Sequence, residues 1–285
     1  MLYLSSSCFA GKNIDEIIAS SVEAGVHNIE LSNGEKEIPN VLNRLLKFKR
    51  KHKLNFLVHN YFPPPAYAFV LNLASQDKII LRKSVEHCKR AIVLASRIEC
   101  PVYSVHAGFR TNPAPSELGK KIDINGIAPY DIAYSTMVDS LKKLCAFAHK
   151  FKVKIAVENH EISKANLING KNELLLMCAA DEFMRLFSDV SSPDLQILVD
   201  LGHLNVSATT LGFDKFEFIE KLKNRIALFH ASHNNGQKDE HKPVTEKSWF
   251  WPIIRKFKNI DCVVESHNLD VKSIERINSL FSKLQ

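Results

Sequence analysis

The stretch "NFLVHNYFPPPAYAFVLNLAS", Asn55 to Ser75, starts as an apolar, β-rich run, stops at His59 and breaks into an aromatic, proline-rich loop. The same arrangement, a short apolar run ended by a polar side chain, recurs along the chain. Runs of this kind are "LYLSSS" from Leu2, "HNIELS" from His27, "NFLVHN" from Asn55, "PVYSVHA" from Pro101, "KIAVENH" from Lys154, "QILVDLGH" from Gln196, "IALFHASH" from Ile226 and "DCVVESHN" from Asp261. Between them lie longer segments such as "SVEHCKRAIVLASRI" and "AYSTMVDSLKKLCAFAHKF", with apolar residues three and four apart, the spacing of an amphipathic helix. Near-continuously apolar strands alternating with helices imply a parallel sheet buried on both faces. Eight such units in about 250 residues predict a closed (β/α)8 TIM barrel of the α/β class, occupying residues 1–285 as a single domain.

Composition agrees. The 285 residues are 45% hydrophobic, enough for a substantial core, and a net charge of +7 permits an acidic partner without choosing one. Six cysteines, Cys8, Cys88, Cys100, Cys145, Cys178 and Cys262, show no paired spacing, and the chain opens without the pattern of a secretory leader. A reduced, cytoplasmic protein is expected. No stretch approaches the roughly 18 apolar residues of a membrane span, so no membrane partner is expected.

In such a barrel the C-terminal strand ends and the loops after them form the active-site face. His59 ends strand three and His106 strand four; Glu158 belongs to strand five, Asp200 and His203 to strand six, His230 to strand seven and Glu265 to strand eight. Six consecutive strands that each bring an imidazole or carboxylate to one rim imply cations, because so many ionisable groups are costly to bury together otherwise. Asp239 and His241, two apart in the loop "HASHNNGQKDEHKP", would face one side of an extended segment and share an ion. Imidazole and carboxylate without thiolate suit zinc, manganese or iron. Divalent transition-metal ions are the expected cofactors, and the donor types leave zinc, manganese and iron open.

These residues resemble the xylose isomerase-like barrel superfamily, and within it endonuclease IV, an apurinic-site enzyme that holds three zinc ions through nine side chains. The resemblance covers nearly the whole chain. It implies one ion on His59, His106 and Glu158 of "VENH". A second would sit on Glu158, Asp200 of "VDLGH", His230 of "LFHASH" and Glu265 of "VVESH". A third would be held by His203, Asp239 and His241. The resemblance is weaker where endonuclease IV handles DNA: "LSSSCFAG" and "LSNGEKE" stand in place of its strand-one histidine motif and its arginine-bearing strand-two loop.

The basic clusters "KFKRKHK", "HKFKVK", "KLKNR" and "RKFK" all precede strands, at the bottom of the barrel, where they complement helix C-termini. Near the mouth, Arg110 is the expected phosphate ligand, with Lys120, Lys121 and Lys242 as further cations. Tyr61, with Phe62, Tyr67 and the three prolines, would wall a sugar-like substrate. Asn159 is expected at the substrate, or, with His160, His233 and His267, as an orienter of ligands. The long connection from Ala107 to Tyr130 has the length of a lid.

Two chemistries follow. A multinuclear site hydrolyses a phosphoester or acts on a small sugar phosphate, with Glu158 bridging ions and water. Alternatively, one ion on Glu158, Asp200, His230 and Glu265 polarises a ketose or its phosphate, while Glu158 and Glu265 move protons through an enediol. Apurinic-site DNA is a possible but less favoured substrate.

Overall fold

The computed structural model describes residues 1–9, 11–32 and 38–283. Eight parallel strands close a barrel in chain order: β1 (Leu2–Ser5), β2 (Asn28–Leu31), β3 (Asn55–His59), β4 (Val102–His106), β5 (Lys154–Glu158), β6 (Leu195–Asp200), β7 (Ile226–Ala231) and β8 (Asp261–Val264). Leu2, Tyr3 and Leu4 stand level with Cys262, Val263 and Val264, which makes the closing seam. In β3 and β5 only the first residue is exposed. Both faces are therefore covered, one by the opposite wall of the barrel and one by helices, and this is why the strands read as apolar runs rather than alternating ones.

The surrounding helices are α1 (Ile14–Glu23), α2 (Val41–His52), α3 (Lys78–Arg97), α4 (Tyr130–Lys150), α5 (Ala180–Val190), α6 (Leu201–Leu211), α7 (Lys215–Leu222), α8 (Trp251–Lys256) and α9 (Val271–Ser282). Several start on a side-chain cap. Asn13 and Glu16 form a reciprocal capping box on α1, and Asp77 and Asp214 accept backbone N–H groups at the starts of α3 and α7. Each cap stabilises by about 0.5–2 kcal/mol relative to alanine. Helix α2 ends on Lys49, Arg50, Lys51 and His52, and Lys53 closes it in the left-handed region at φ 53°. The "KFKRKHK" cluster thus meets the negative end of a helix dipole at the base of the barrel.

The connection after β4 differs from a lid. Its backbone is tied to the connection after β5: Arg110 N–H donates to the Leu174 carbonyl at 2.8 Å and Leu176 N–H to the Gly108 carbonyl at 3.1 Å. Asn166 accepts the Ile122 N–H at 3.0 Å and donates to the Lys120 carbonyl at 2.9 Å. Phe109, Ile122, Ile162, Leu174 and Leu175 add a satellite apolar core between the two. At roughly 1.5–3 kcal/mol for each large apolar side chain buried, this double loop is a fixed wall. All six cysteines are buried and unpaired. Among the described residues no helix is long and apolar enough to cross a membrane.

Candidate metal centre

Strand register sets most of the site. His106 stands level with Glu158, and Asp200 with His230. Neighbours in register on parallel strands point to the same face, so these side chains enter the mouth together. Glu265 follows β8 directly and extends its ladder through an N–H donated to the Ala231 carbonyl at 3.1 Å. Asp200 ends β6 and also caps α6, accepting the His203 N–H on Oδ1 at 2.7 Å. His203, expected on strand six, therefore sits in the first turn of α6. Gly202 is required between them: a Cβ there would lie 2.5 Å from Ser232 Oγ and 3.1 Å from Asp200 Oδ1.

The loop after β7 supplies the last two side chains, though not by the extended geometry expected. His241 is in the left-handed region, φ 45°, and this turn brings its Nε2 to 2.6 Å from Asp239 Oδ2. Paired backbone bonds between His233 and Lys242, 2.9 Å each, close the loop. Asn234, unmarked in the sequence reading, donates to the Gly202 carbonyl at 2.9 Å and so joins the loop to α6.

All nine expected side chains converge. They form three groups, His59–His106–Glu158, Glu158–Asp200–His230–Glu265 and His203–Asp239–His241, with the ligand atoms of each within 4.8 Å of one another. Glu158 Oε2 faces His59 Nε2 at 3.5 Å and His106 Nε2 at 3.1 Å, while Oε1 faces His203 at 3.4 Å and His230 Nδ1 at 3.7 Å. His203 Nε2 is 3.3 Å from Asp239 Oδ2. Ligands about 2.0–2.2 Å from a tetrahedral ion lie about 3.3–3.5 Å from each other, so the spacing fits shared ions. Both Glu158 oxygens and Asp200 Oδ2 are buried without a hydrogen-bond partner. Anionic oxygens left so would be costly, and a divalent cation relieves that cost.

The electrostatics have the same source. Burial alone would lower the imidazoles of His203 and His230, but nearby carboxylates outweigh it and hold both well above the ordinary histidine value. His241 is raised to about 9, Asp239 outweighing burial. Burial would raise Glu265, yet His230 and His241 bring it down to about 2. Asp200 is raised, first by burial and then by the Asp239 and Glu158 carboxylates. Burial lowers His59, against the pull of Glu158 and Glu30. Glu161, missed in the sequence, is pushed up to about 6 by burial, against the pull of His203 and His241.

The expected substrate residues are otherwise engaged. Asn159 accepts the Asp200 N–H at 2.8 Å and donates to the Asp200 carbonyl at 3.1 Å; it positions a ligand. Tyr61 accepts the Leu71 N–H at 2.9 Å and packs its ring against Phe69 and against His87 of α3, on the helix side. Arg110 pairs with Glu173 and donates to the Ala128 carbonyl at 3.0 Å, so its charge is already matched. Lys242 pairs with Glu240 at 2.7 Å. Ser5, Ser6 and Ser32 share hydroxyl bonds at the ends of β1 and β2, and Ser7 Oγ donates to Glu265 Oε1 at 3.4 Å. Of "LSNGEKE", residues 33–37 lie outside the described residues, as does Ala10 of "LSSSCFAG".

His160 donates Nδ1–H to the Leu176 carbonyl at 3.1 Å, and its ring lies 5.9 Å from that of His106. The His267 ring stacks on His241 at 4.3 Å, and His233 holds the loop through its backbone. These three brace ligands or the segments that bear them.

A barrel of this topology with this donor set belongs to a known class. Residues 18–278 match the family model described as xylose isomerase-like TIM barrel, and the chain belongs to that family. An uncharacterised protein of Methanocaldococcus jannaschii is 25% identical over 240 residues, covering 82% of this chain and 71% of the relative. A probable endonuclease 4 of Persephonella marina is 22% identical over 233 residues, covering 75% of this chain and 73% of the relative. The solved structure of a D-tagatose 3-epimerase-like protein superposes with a TM-score of 0.76 at 22% identity, covering 99% of this chain and 96% of that one; it is a likeness of fold.

Proposed function

We propose that this chain is a metal-dependent hydrolase of phosphoesters that uses two or three divalent transition-metal ions, zinc foremost, at the ends of β3 to β8. One observation carries the reading: Glu158 is shared between two ligand groups, one oxygen turned to His59 and His106 and the other to His230. A carboxylate so placed would serve as a ligand in both groups and would accept a proton from water there. The ions, when bound, polarise the phosphoester and make water a nucleophile near neutral pH. Asp200, His230 and Glu265 hold the innermost position; His203, Asp239 and His241 hold the rim; Asn159 and Asn234 keep both from shifting. Arg110 and Lys242 are already paired, with Glu173 and Glu240, so on this reading bound ions would supply the positive charge that meets a phosphate. The fixed wall after β4 and β5 and the basal position of the cationic clusters favour a small phosphorylated substrate over DNA.

A second reading rests on its own observation. Glu158, Asp200, His230 and Glu265 form a complete four-ligand group without the other five, and the D-tagatose 3-epimerase-like protein shares the fold. With one ion there, Glu158 and Glu265 would pass protons to and from a ketose through an enediol. The test is elemental analysis of protein purified without chelator, with turnover assayed on aryl phosphoesters and on ketoses. Two or more ions per chain with phosphoester cleavage supports the first reading. One ion with exchange of a substrate C–H for solvent deuterium replaces it by the second.

A further inference from the structure

His230 differs from the other histidines of the cluster in the nitrogen it turns inward. His203 and His241 donate Nδ1–H to the Asn159 and Glu265 carbonyls, each at 2.8 Å, and His59 spends Nδ1 on Ser104 Oγ at 3.0 Å. All three present Nε2 to the site. His230 instead presents Nδ1, 3.1 Å from Glu265 Oε2 and 3.7 Å from both Glu158 Oε1 and Asp200 Oδ2. Its Nε2 points across the barrel to β2, where Glu30 Oε2 lies at 2.9 Å. Both side chains are completely buried. Glu30 Oε1 has no partner, and among the described residues the His230 ring is the only hydrogen-bond partner of this carboxylate.

We infer that Glu30 is the positioning residue for His230: it accepts Nε2–H, fixes the tautomer whose lone pair is on Nδ1, and makes this imidazole the strongest nitrogen donor of the centre. The inference rests on the metal-dependent reading above. A neutral imidazole has one N–H and one lone pair, so the partner of one nitrogen decides what the other can do. Carbonyl and hydroxyl partners orient a ring. A carboxylate also raises its basicity, and loss of such a partner weakens metal binding. Glu30 serves only the four-ligand group, so that group should hold its ion most tightly and fill first. Glu30, His59 and His230 also lie close enough to form a ligand set of their own. With Nδ1 committed to the inner carboxylates, however, Nε2 keeps its hydrogen and cannot ligate as well.

The experiment compares wild type with Glu30→Leu, which has no acceptor, and Glu30→Gln, whose amide carbonyl can still accept. Zinc affinity is measured by chelator competition, zinc content by elemental analysis, and ring-nitrogen state by 15N NMR of the zinc-loaded protein. In wild type, Nδ1 of His230 is the zinc-bound nitrogen and Nε2 carries the proton. In Glu30→Leu the tightest zinc weakens about 10- to 100-fold at unchanged stoichiometry, and Glu30→Gln recovers part of the loss. If the leucine variant does not fold, a weakening of a few-fold or more in Glu30→Gln carries the test, and unchanged affinity there overturns the inference. Unchanged affinity in a folded Glu30→Leu, or zinc on His230 Nε2, overturns it while leaving the metal centre intact. Loss of one whole ion shows that Glu30 is itself a ligand and overturns the positioning role. Wild type that binds no zinc overturns the metal-dependent reading instead.

Discussion

The inner four ligands and the outer three are built differently. Glu158, Asp200, His230 and Glu265 come from strand ends or the residue directly after one, and Glu158, Asp200 and His230 have no exposed surface. His203, Asp239 and His241 come from a first helical turn and a loop, and their side chains are 12–19% exposed. The inner group is placed by barrel register, which the strand ladders fix. The outer one depends on a helix cap, a glycine and one left-handed residue. Positions of the first kind are inherited from the fold, whereas those of the second kind have to be specified locally.

The comparison is tested hardest at Glu158, which the inner four share with His59 and His106. Glu158→Gln, measured as kcat with metal content checked, should lose activity by about 10²–10³-fold or more, the scale seen when a preorganised charge-stabilising group is removed. Retained turnover with ions bound would break the assignment of the bridge. His241→Ala should separate the groups: elemental analysis should show one fewer ion per chain while the inner position stays filled. A variant that loses all its ions would show that the two are not independent.

A pH series on metal-stripped protein gives a smaller effect. His241, raised from the ordinary 6.5 to about 9, contributes stability that is full below 6.5 and lost as pH rises through about 9. Glu265, lowered from 4.5 to about 2, contributes stability that is present above 4.5 and lost as pH falls toward 2. The contribution of these two groups to Tm should therefore be flat between pH 4.5 and 6.5 and fall on either side, and metal loading should remove the alkaline fall. Equal alkaline loss with and without metal would argue against these pairs as its cause. Arg110→Ala should do least to catalysis. With its guanidinium spent on Glu173 and Ala128, the Michaelis constant should stay within a few-fold of wild type, while urea denaturation loses about 1–3 kcal/mol. A large rise in the Michaelis constant would return Arg110 to the substrate.

The strands were legible because an apolar run closed by a polar residue marks both the strand and its C-terminal end. His59, His106 and Glu158 could be placed within a residue by that signal alone. His203 could not, because Asp200 ends a strand and starts a helix at once, with no residue between them to mark the change. The turn at His241 leaves no mark in a polar loop. Glu30 did leave one, a lone carboxylate inside the apolar "HNIELS", but its partner is 200 positions away and only barrel closure brings them together. Arg110 misled for the reverse reason: nearness in sequence to His106 says nothing about Glu173, which reaches it from the next loop.

The separation of charge along the barrel axis has a kinetic consequence. The base carries the lysine and arginine clusters, and the mouth gathers the carboxylates of Glu30, Glu158, Asp200, Asp239 and Glu265. An empty mouth draws cations in and turns phosphate away, so loading is steered while premature encounter with an anionic substrate is slowed. Five carboxylates against three divalent ions would leave the mouth slightly positive, whereas against a single inner ion, with His203 and His241 still charged, they would leave it about one charge negative. Occupancy thus sets the sign of the long-range field that an arriving molecule feels. On the proposed reading, a fully loaded barrel would speed the approach of phosphoesters, an effect that fades as salt shortens the Debye length below about 10 Å, whereas a singly loaded one would suit an uncharged sugar.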